Sequence, residues 1–191
     1  VSPVDGRVCE SRRDAVPRLR IVDVDSGVST FHEAPDAWAY LGLSFSADAS
    51  ALGATSADGK VLRWDLRAGG PARVVGLHSG VAHGLAFLPD GRHMVSCGVD
   101  RHLLRLGIQD GSSETLALHQ QLVTAVAVSP DGRRVASWSG ERVLRIFDAA
   151  DGRILAAWQA LGAGEHASVR FSADGREVEV DDDQARRVWF V

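Results

Sequence analysis

The sequence predicts an all-β fold assembled from a repeated unit of about 42 residues. A short turn pattern ending in Asp-Gly or a close variant occurs four times, and its aspartates stand 42, 41 and 43 residues apart. No window of a dozen residues shows the apolar spacing of an amphipathic helix. Self-similarity at a fixed period marks a repeat architecture, in which each unit buries its apolar faces against its neighbours. The four turns are Ser46-Ala47-Asp48-Ala49, Leu88-Pro89-Asp90-Gly91, Ser129-Pro130-Asp131-Gly132 and Ser172-Ala173-Asp174-Gly175.

A second pattern, an arginine followed by apolar or aromatic residues, keeps the same period. It begins 15 to 17 residues after the start of each turn, and a partial copy of both patterns opens the chain at 2–6 and 20–23. The arginine pattern reads Arg63-Trp64-Asp65, Arg105-Leu106-Gly107, Arg145-Ile146-Phe147-Asp148 and Arg187-Val188-Trp189. The two patterns together predict a partial unit, three full units and a last unit without its fourth strand, at 1–35, 36–77, 78–118, 119–161 and 162–191.

Each full unit resolves into four short strands, most clearly in the unit at 119–161. The first strand is rich in β-branched residues and runs into the Ser-Pro-Asp-Gly turn. The third alternates apolar and polar residues, as expected of a strand that is more covered on one face than on the other. Asp-Gly and Ala-Gly-Gly sequences punctuate the neighbouring units in the same places. The four strands are predicted at 123–128, 134–138, 143–148 and 154–158.

Composition limits the classes of partner. The net charge is −4 and the charges are interspersed, so there is no basic footprint for nucleic acid. No apolar stretch approaches the roughly 20 residues that a membrane-spanning helix needs, and the first residues lack the features of a signal peptide. Cys9 and Cys97 stand far apart without metal-ligand spacing, which favours free thiols and a cytoplasmic protein. Of the 21 basic residues only Lys60 is a lysine, a bias typical of GC-rich bacterial genomes.

A four-stranded unit of this length, with Trp-Asp at the end of its third strand, resembles the WD40 repeat family. Trp64-Asp65 keeps that dipeptide, and the other units carry degenerate versions of it. The resemblance covers nearly the whole chain and implies a β-propeller, in which each four-stranded sheet is one blade. Counting strands as three, four, four, four and three gives about four and a half blades.

The position of the chain within the repeat implies a larger ring. The sequence begins at the turn after a missing first strand and ends after the third strand of its last unit. WD40-like propellers commonly close by having the N-terminal segment supply the last blade's fourth strand. A ring of about seven blades would need roughly two more blades upstream. We therefore expect the C-terminal part of a seven-bladed ring, which self-associates or is poorly stable when isolated, because an open propeller exposes unpaired strand edges.

The resemblance also implies a buried hydrogen-bond network of His, Ser or Thr, Asp and Trp in each blade. One unit matches three of these positions and has Leu106 in place of the tryptophan. The next unit matches two, with Glu141 in place of Asp and Phe147 in place of Trp. The matching residues, unit by unit, are Asp58 and Trp64; His78, Ser96 and Asp100; His119 and Ser137; and Asp183 and Trp189. Because most units lack the full network, we expect packing to contribute more to stability than is usual in the family.

The sequence carries no signature of catalysis or metal binding. Zinc sites need converging ligands, and no Cys-x-x-Cys or His-x-x-x-His pair is present. No serine lies in a Gly-x-Ser-x-Gly motif, and the glycine-rich stretches at 69–70 and 162–164 lack the lysine and helix of a phosphate-binding loop. We therefore predict no catalytic residue, no cofactor and no metal.

Residues that depart from the repeat are the better candidates for partner binding. Trp138 follows the network serine, at a position that the family usually fills with Gly or Ala. It would either anchor a partner or fill volume between blades. Trp38 and Tyr40 stand at the start of a first strand and would add to the same surface. The polar rim of this surface is expected at Gln120, Gln121, Glu165 and His166.

These observations favour a non-catalytic scaffold for protein–protein interaction, in which strands fix the loops and the loops contact a protein or peptide. A second interpretation is a regulatory or sensor propeller at the C-terminus of a larger bacterial enzyme, such as a Ser/Thr kinase or an NTPase, whose activity would lie upstream. A propeller hydrolase ranks last, because it would need inward-facing carboxylates or histidines from several blades.

Overall fold

Every regular element in the described part of the chain is an antiparallel β-strand. The computed structural model describes residues 6–12, 18–33, 38–160, 164, 167–182 and 184–191. These residues form five sheets with three, four, four, four and three strands, numbered here as blades 1 to 5. The all-β prediction and the strand count are therefore confirmed. No helix that is long and apolar enough to cross a membrane occurs in this part of the chain.

The strands follow one another in chain order within each blade. Blade 1 contains β1 (Val8–Arg12), β2 (Arg18–Val22) and β3 (Ser29–Glu33). Blade 2 contains β4 (Tyr40–Phe45), β5 (Ala51–Ser56), β6 (Lys60–Asp65) and β7 (Arg73–Leu77). Blade 3 contains β8 (Ala82–Phe87), β9 (His93–Gly98), β10 (His102–Gly107) and β11 (Ser113–Leu118). Blade 4 contains β12 (Val123–Val128), β13 (Arg134–Ser139), β14 (Val143–Asp148) and β15 (Ile154–Gln159), and blade 5 contains β16 (Ala167–Phe171), β17 (Glu177–Asp182) and β18 (Arg186–Phe190).

The strands predicted in blade 4 agree with the structure to within one residue, because turn chemistry fixes their ends. In the turn between β12 and β13, the Ser129 hydroxyl donates to Oδ1 of Asp131 over 2.5 Å and accepts the backbone N–H of Arg134 over 2.9 Å. Gly132 adopts a φ of 73°, which glycine reaches without steric cost. The serine and aspartate of the turns at 46–51 and 172–177 make the same contacts.

The blades are arranged radially, as in a propeller. We letter the strands of blades 2 to 4 A to D in chain order, and the strands of blade 5 A to C. The A strands β4, β8, β12 and β16 lie side by side at the centre. The later strands of each blade lie progressively further from that centre. Loops therefore project from two opposite faces, and these faces carry the chemistry that distinguishes one blade from another.

Both faces of the inner blades are buried, and alternate residues of each strand point to different neighbours. On β6, Leu62 and Trp64 pack towards blade 1, whereas Val61 packs towards blade 3. On β13, Val135 packs towards blade 3 and Ala136 towards blade 5. Alternation in such strands therefore separates two apolar interfaces and does not separate core from solvent.

Arginine side chains join two pairs of neighbouring blades. Arg134 of blade 4 donates to the backbone oxygen of Gly175 in blade 5 over 2.7 Å, and its guanidinium lies 5.7 Å from the ring centroid of Phe171. Arg7 makes the corresponding contacts between blades 1 and 2, to the backbone oxygen of Ala49 at 2.8 Å and to the Phe45 ring at 5.8 Å. Each arginine thus bonds to a turn and covers an aromatic ring of the next blade.

Candidate functional site

The loops that connect strand D of one blade to strand A of the next lie on the same face as the turns between strands B and C. We call this face the upper face. Its D–A loops include residues 78–81 and 119–122, and its B–C turns include 99–101 and 140–142. In three blades a carboxylate of the B–C region accepts hydrogen bonds from the backbone of the D–A loop, so the two segments are tied together. The three carboxylates are Asp100, Glu141 and Asp182.

In blade 3 the predicted network is present. The side chain of His78 is buried, with Nδ1 at 2.9 Å from Oδ1 of Asp100 and Nε2 at 2.8 Å from the hydroxyl of Ser96. Because an ionised carboxylate only accepts, Nδ1 carries the proton and Nε2 accepts from Ser96. The other carboxylate oxygen of Asp100 accepts the N–H of Ser79 over 2.9 Å. Burial opposes the charged form of Asp100, but His78 and the amides of Ser79 and His102 outweigh it and hold the pKa of Asp100 below its ordinary value.

Blade 4 has a histidine at the same position, but the direction of its hydrogen bonds is reversed. His119 Nε2 lies 3.0 Å from the hydroxyl of Ser137, but Nδ1 faces a guanidinium nitrogen of Arg145 at 2.9 Å. An arginine can only donate, so Nδ1 of His119 must be the acceptor and Nε2 must carry the proton. Glu141, at the position of the family aspartate, binds Arg145 over 2.5 Å and does not contact the histidine directly. The arginine is therefore inserted between the carboxylate and the ring.

The surroundings of this network favour a neutral imidazole beside an ionised pair. Burial, together with the positive charge of Arg145, lowers the pKa of His119 from 6.5 to about 4, and the negative charge of Glu141 opposes this only in part. Burial also opposes the charged form of Glu141. Arg145 and the amides of Gln120 and Gln121 outweigh that effect, so the pKa of Glu141 lies below its ordinary value.

Blade 5 repeats the arginine and carboxylate pair without the histidine network. Arg187 donates to Oδ2 of Asp182 over 2.6 Å, and the same oxygen accepts the N–H of Gly164 over 3.0 Å. The backbone amides of Gln184 and Ala185 lower the pKa of Asp182 to about 2. The predicted network residue Asp183 lies outside the described residues. Its predicted partner Trp189 is half-buried and packs against the core between blades 4 and 5.

The sequence pattern treats the four arginines as equivalent positions of the repeat. In the structure they occupy two different positions on strand C. Arg145 lies opposite Ser137 and Arg187 opposite Val180, whereas Arg105 lies opposite Val95. Arg63 shares the position of Arg105, directly before the tryptophan position, whereas Arg145 and Arg187 stand two residues before it. A shift of one residue along a strand turns a side chain to the other face of the sheet. Counting residues back from the aromatic position would have revealed the difference.

Blade 2 keeps the tryptophan of the network without a partner for its indole nitrogen. Trp64 is buried, and among the described residues its Nε1 has no hydrogen-bond partner. The strand register places Ala54 where blade 3 has its network serine, so no hydroxyl is available there. The ring instead packs against Tyr40, with centroids 5.9 Å apart in an edge-to-face arrangement. Asp58, the other predicted member of this network, pairs with Lys60 at 2.8 Å.

Two aromatic residues predicted to bind a partner are buried, and these predictions are corrected. The exposed fraction of Trp138 is 0 %, and that of Tyr40 is 4 %. The Trp138 ring packs among Ala136, Leu144 and Val178 in the core between blades 4 and 5. Its indole N–H donates to the backbone oxygen of Gly164 over 3.2 Å. Trp138 is therefore a packing residue between blades, which was the alternative to an interface role.

The other predicted surface residues differ in position. Trp38 is 76 % exposed, in the segment that leads into β4. Gln120 and Gln121 are exposed in the D–A loop of blade 4, and their backbone amides donate to Oε1 of Glu141 over 3.0 and 3.2 Å. Glu165 and His166 lie outside the described residues.

No arrangement suited to catalysis is apparent where the described strands converge. A cavity of about 640 Å³ lies between the ends of the four A strands, bordered by Phe45, Phe87, Val128 and Phe171. Its described lining includes serines but no His, Asp or Glu that could activate one. Within the described residues, no group of three or more His, Cys, Asp or Glu side chains could hold a metal ion.

Comparisons with known proteins agree with this architecture. The family model described as "WD domain, G-beta repeat" matches residues 69–104 and 112–148. A 46-residue stretch is 46% identical to "DDB1- and CUL4-associated factor 13" from Dictyostelium discoideum, and it covers 24% of this chain and 10% of that protein. The crystal structure of the Cps50 (Swd1) β-propeller domain from Myceliophteria thermophila superposes with a TM-score of 0.85 at 18% identity. That match covers 100% of this chain and 63% of the solved chain, so the sequence spans only part of each relative's length.

Proposed function

We propose that this chain, a β-propeller in which two stretches match the WD40 family model, serves as a non-catalytic scaffold whose upper face binds a protein or peptide partner. The observation that carries the proposal is the tie, in blades 3, 4 and 5, between a D–A loop and a carboxylate of the B–C region. Glu141 alone accepts two backbone amides of the blade 4 loop. A loop held in this way is ordered before a partner arrives, so binding loses less conformational entropy.

The exposed side chains of the upper face suit contact with a polypeptide. Trp38 presents a large ring to solvent, and tryptophan is among the residues that contribute most to protein interfaces. Gln120 and Gln121 add amide groups that both donate and accept hydrogen bonds. The net charge of −4 and the mixed charges of the chain support a protein partner over nucleic acid.

The curated relative supports the class of role. Its printed name describes a factor associated with DDB1 and CUL4, and association with other proteins is the class of role that we propose for this chain. The matched stretch has the length of one repeat, so it supports an adaptor class for this chain and names no partner for it. A cytoplasmic location is part of this proposal, since both cysteines are free thiols and Cys97 is buried. The alternative of a sensor propeller on a larger bacterial enzyme stays a prediction.

Site-specific photocrosslinking tests the proposal. A photoreactive amino acid replaces Trp38 or Gln121 on the upper face, or Arg153 on the opposite face as the control, and cross-linked partners are identified by mass spectrometry. We expect a common partner from the two upper-face positions and not from Arg153. Trp38→Ala should then weaken binding of that partner while the melting temperature stays unchanged. Cross-links from Arg153 alone would show that the opposite face is the one that binds.

A further inference from the structure

We propose that blade 4 contains a proton-operated latch: protonation of His119 displaces the Arg145 guanidinium and thereby releases the D–A loop at Gln120 and Gln121. The latch consists of His119, Arg145 and Glu141. The proposal rests on the geometry of these groups and is independent of whether the upper face binds a partner.

Both nitrogens of the His119 ring are occupied in the closed latch. Nε2 donates to Ser137, and Nδ1 accepts from Arg145 at 2.9 Å. An added proton can only enter at Nδ1, where it would face an N–H of the guanidinium. Two donors and two positive charges would then meet in a buried position, since His119 is 4 % exposed and Arg145 is largely covered. Arg145 must move away for the ring to hold the proton.

Movement of Arg145 reaches the loop through Glu141. One carboxylate oxygen of Glu141 binds Arg145 over 2.5 Å, and the other accepts the amides of Gln120 and Gln121. When the guanidinium leaves, the carboxylate of Glu141 follows its ion-pair partner. Its present orientation is then lost, and the two loop amides lose their acceptor. A carboxylate that turned to Nδ1 of His119 instead, as that of Asp100 binds His78 in blade 3, would keep the loop amides bound and their protection constant.

The charged groups around the His119 ring determine how readily it takes up a proton. Burial and Arg145 lower the pKa of His119, to about 4, and Glu141 raises it. The thiol of Cys97, on the face of blade 3 that packs against blade 4, has its pKa raised to about 12 by burial and therefore remains neutral. On its own blade the ring faces Arg145, which is bound to Glu141, and Arg142 follows Glu141 in the sequence. On the blade 3 side, the backbone N–H of His119 donates to the oxygen of Arg101, which stands between Asp100 and His102 in the sequence.

The direction of the pH dependence follows from these positions. In the open latch the ring no longer faces the positive charge of Arg145, so it takes up a proton at a higher pH than in the closed latch, where the pKa is about 4. The closed form is therefore favoured at neutral pH. It loses this advantage as the pH falls towards 4.

Blade 3 provides an internal comparison. His78 stands at the position of His119, and its Nδ1 already donates to Asp100. A proton added at its Nε2 would meet the Ser96 hydroxyl, which can rotate and accept. Leu104 occupies the position of Arg145, so no guanidinium has to leave. The loop amide of Ser79, which donates to Asp100, is therefore expected to stay protected over the same pH range.

Amide hydrogen exchange of the full chain, measured by NMR between pH 7 and pH 4 and corrected for intrinsic rates, tests the latch. We expect the protection of the Gln120 and Gln121 amides to fall by at least about tenfold across this range, in step with the titration of the His119 ring. The protection of Ser79 should stay constant. Constant protection of Gln120 and Gln121 would overturn the proposal.

Two variants separate the latch from simple acid destabilisation. His119→Asn keeps an acceptor near Arg145 but has no proton to gain, so the loop amides should remain protected down to pH 4. If they still lose protection, protonation of Glu141 and not of His119 opens the loop. Arg145→Leu places the blade 3 residue in blade 4, so no guanidinium has to leave, and the protection of the two amides should then stay constant between pH 7 and pH 4. An undiminished pH dependence in Arg145→Leu would likewise overturn the proposal.

Discussion

The guanidinium of Arg145 donates to Nδ1 of His119, the ring nitrogen whose counterpart in His78 donates to Asp100. Two successive blades thus use the same histidine position with opposite hydrogen-bond polarity. The reversal follows from a change of one residue type opposite the network serine, from Leu104 to Arg145. The repeat therefore conserves the geometry of the upper face while allowing its protonation chemistry to differ between blades.

Stability should depend on pH through His119. Its pKa of about 4 in the folded chain lies below 6.5, so the unfolded chain binds more protons between these values. The free energy of unfolding should therefore fall as the pH falls from 6.5 towards 4, by up to about 3 kcal/mol from this group. Urea unfolding at a series of pH values measures the effect. His119→Asn is the control and should remove this part of the dependence; identical curves for both proteins would contradict the prediction.

Truncation of two tryptophans should affect the unfolding free energy to very different extents. Trp138 is fully buried between blades 4 and 5, and Trp138→Ala should cost about 3–5 kcal/mol of unfolding free energy because it leaves a large cavity. Trp38 is 76 % exposed, and Trp38→Ala should change stability by less than about 0.5 kcal/mol. Chemical denaturation of both variants gives the comparison. Equal losses would mean that the ring of Trp38 is packed and not free to contact a partner.

The strands and the blade 3 network could be predicted from sequence because both depend on local signals. Turn residues fix the ends of β12 and β14, and His78 and Asp100 stand at fixed distances within the repeat. Exposure could not be predicted in the same way. Trp138 lies on the face of β13 opposite to Ser137. Because neighbouring blades cover both faces of blade 4, the alternation of side chains along the strand does not indicate which of them are exposed to solvent.

The role of Arg145 was missed for a related reason. An alignment of the four units on their arginines hides a shift of one residue between the arginine and the aromatic position that follows it. In a strand that shift changes the neighbour completely, because it decides which of two sheets the side chain meets. Arg145 pairs with Ser137 and Arg105 with Val95, a difference that appears in the sequence only when residues are counted back from the aromatic position.

The contact between blades 4 and 5 through Arg134 should contribute measurably to stability. Its bond to the backbone oxygen of Gly175 and its position over the Phe171 ring are both lost in Arg134→Ala, which should cost about 1–2 kcal/mol. The neighbouring Arg133 is exposed, and Arg133→Ala is the matched control with an expected change of less than about 0.5 kcal/mol. Thermal or urea unfolding distinguishes the two. If both variants have the same unfolding free energy as the wild type, the arginine contact does not stabilise the interface between the two blades.

Restoring the missing hydroxyl of blade 2 should stabilise the chain. The indole nitrogen of Trp64 is buried with no partner among the described residues, and Ala54 occupies the position of the network serine on the same face of the sheet. A diagonal pair at this spacing is within reach of an aromatic side chain. Ala54→Ser should therefore add about 1 kcal/mol to the unfolding free energy, because the new hydroxyl accepts from Nε1 of Trp64.

A second serine substitution shows whether that gain comes from the indole. Ala136 is fully buried between blades 4 and 5, as Ala54 is between blades 1 and 2, but among the described residues no buried side-chain donor of its apolar cluster lacks a partner. Ala136→Ser should therefore lower the unfolding free energy by about 1–3 kcal/mol, since it buries a hydroxyl among apolar side chains. Trp64→Phe in the Ala54→Ser background should abolish the gain. If Ala54→Ser destabilises the chain as Ala136→Ser does, the hydroxyl does not reach Nε1, and Trp64 is held by packing against Tyr40 alone.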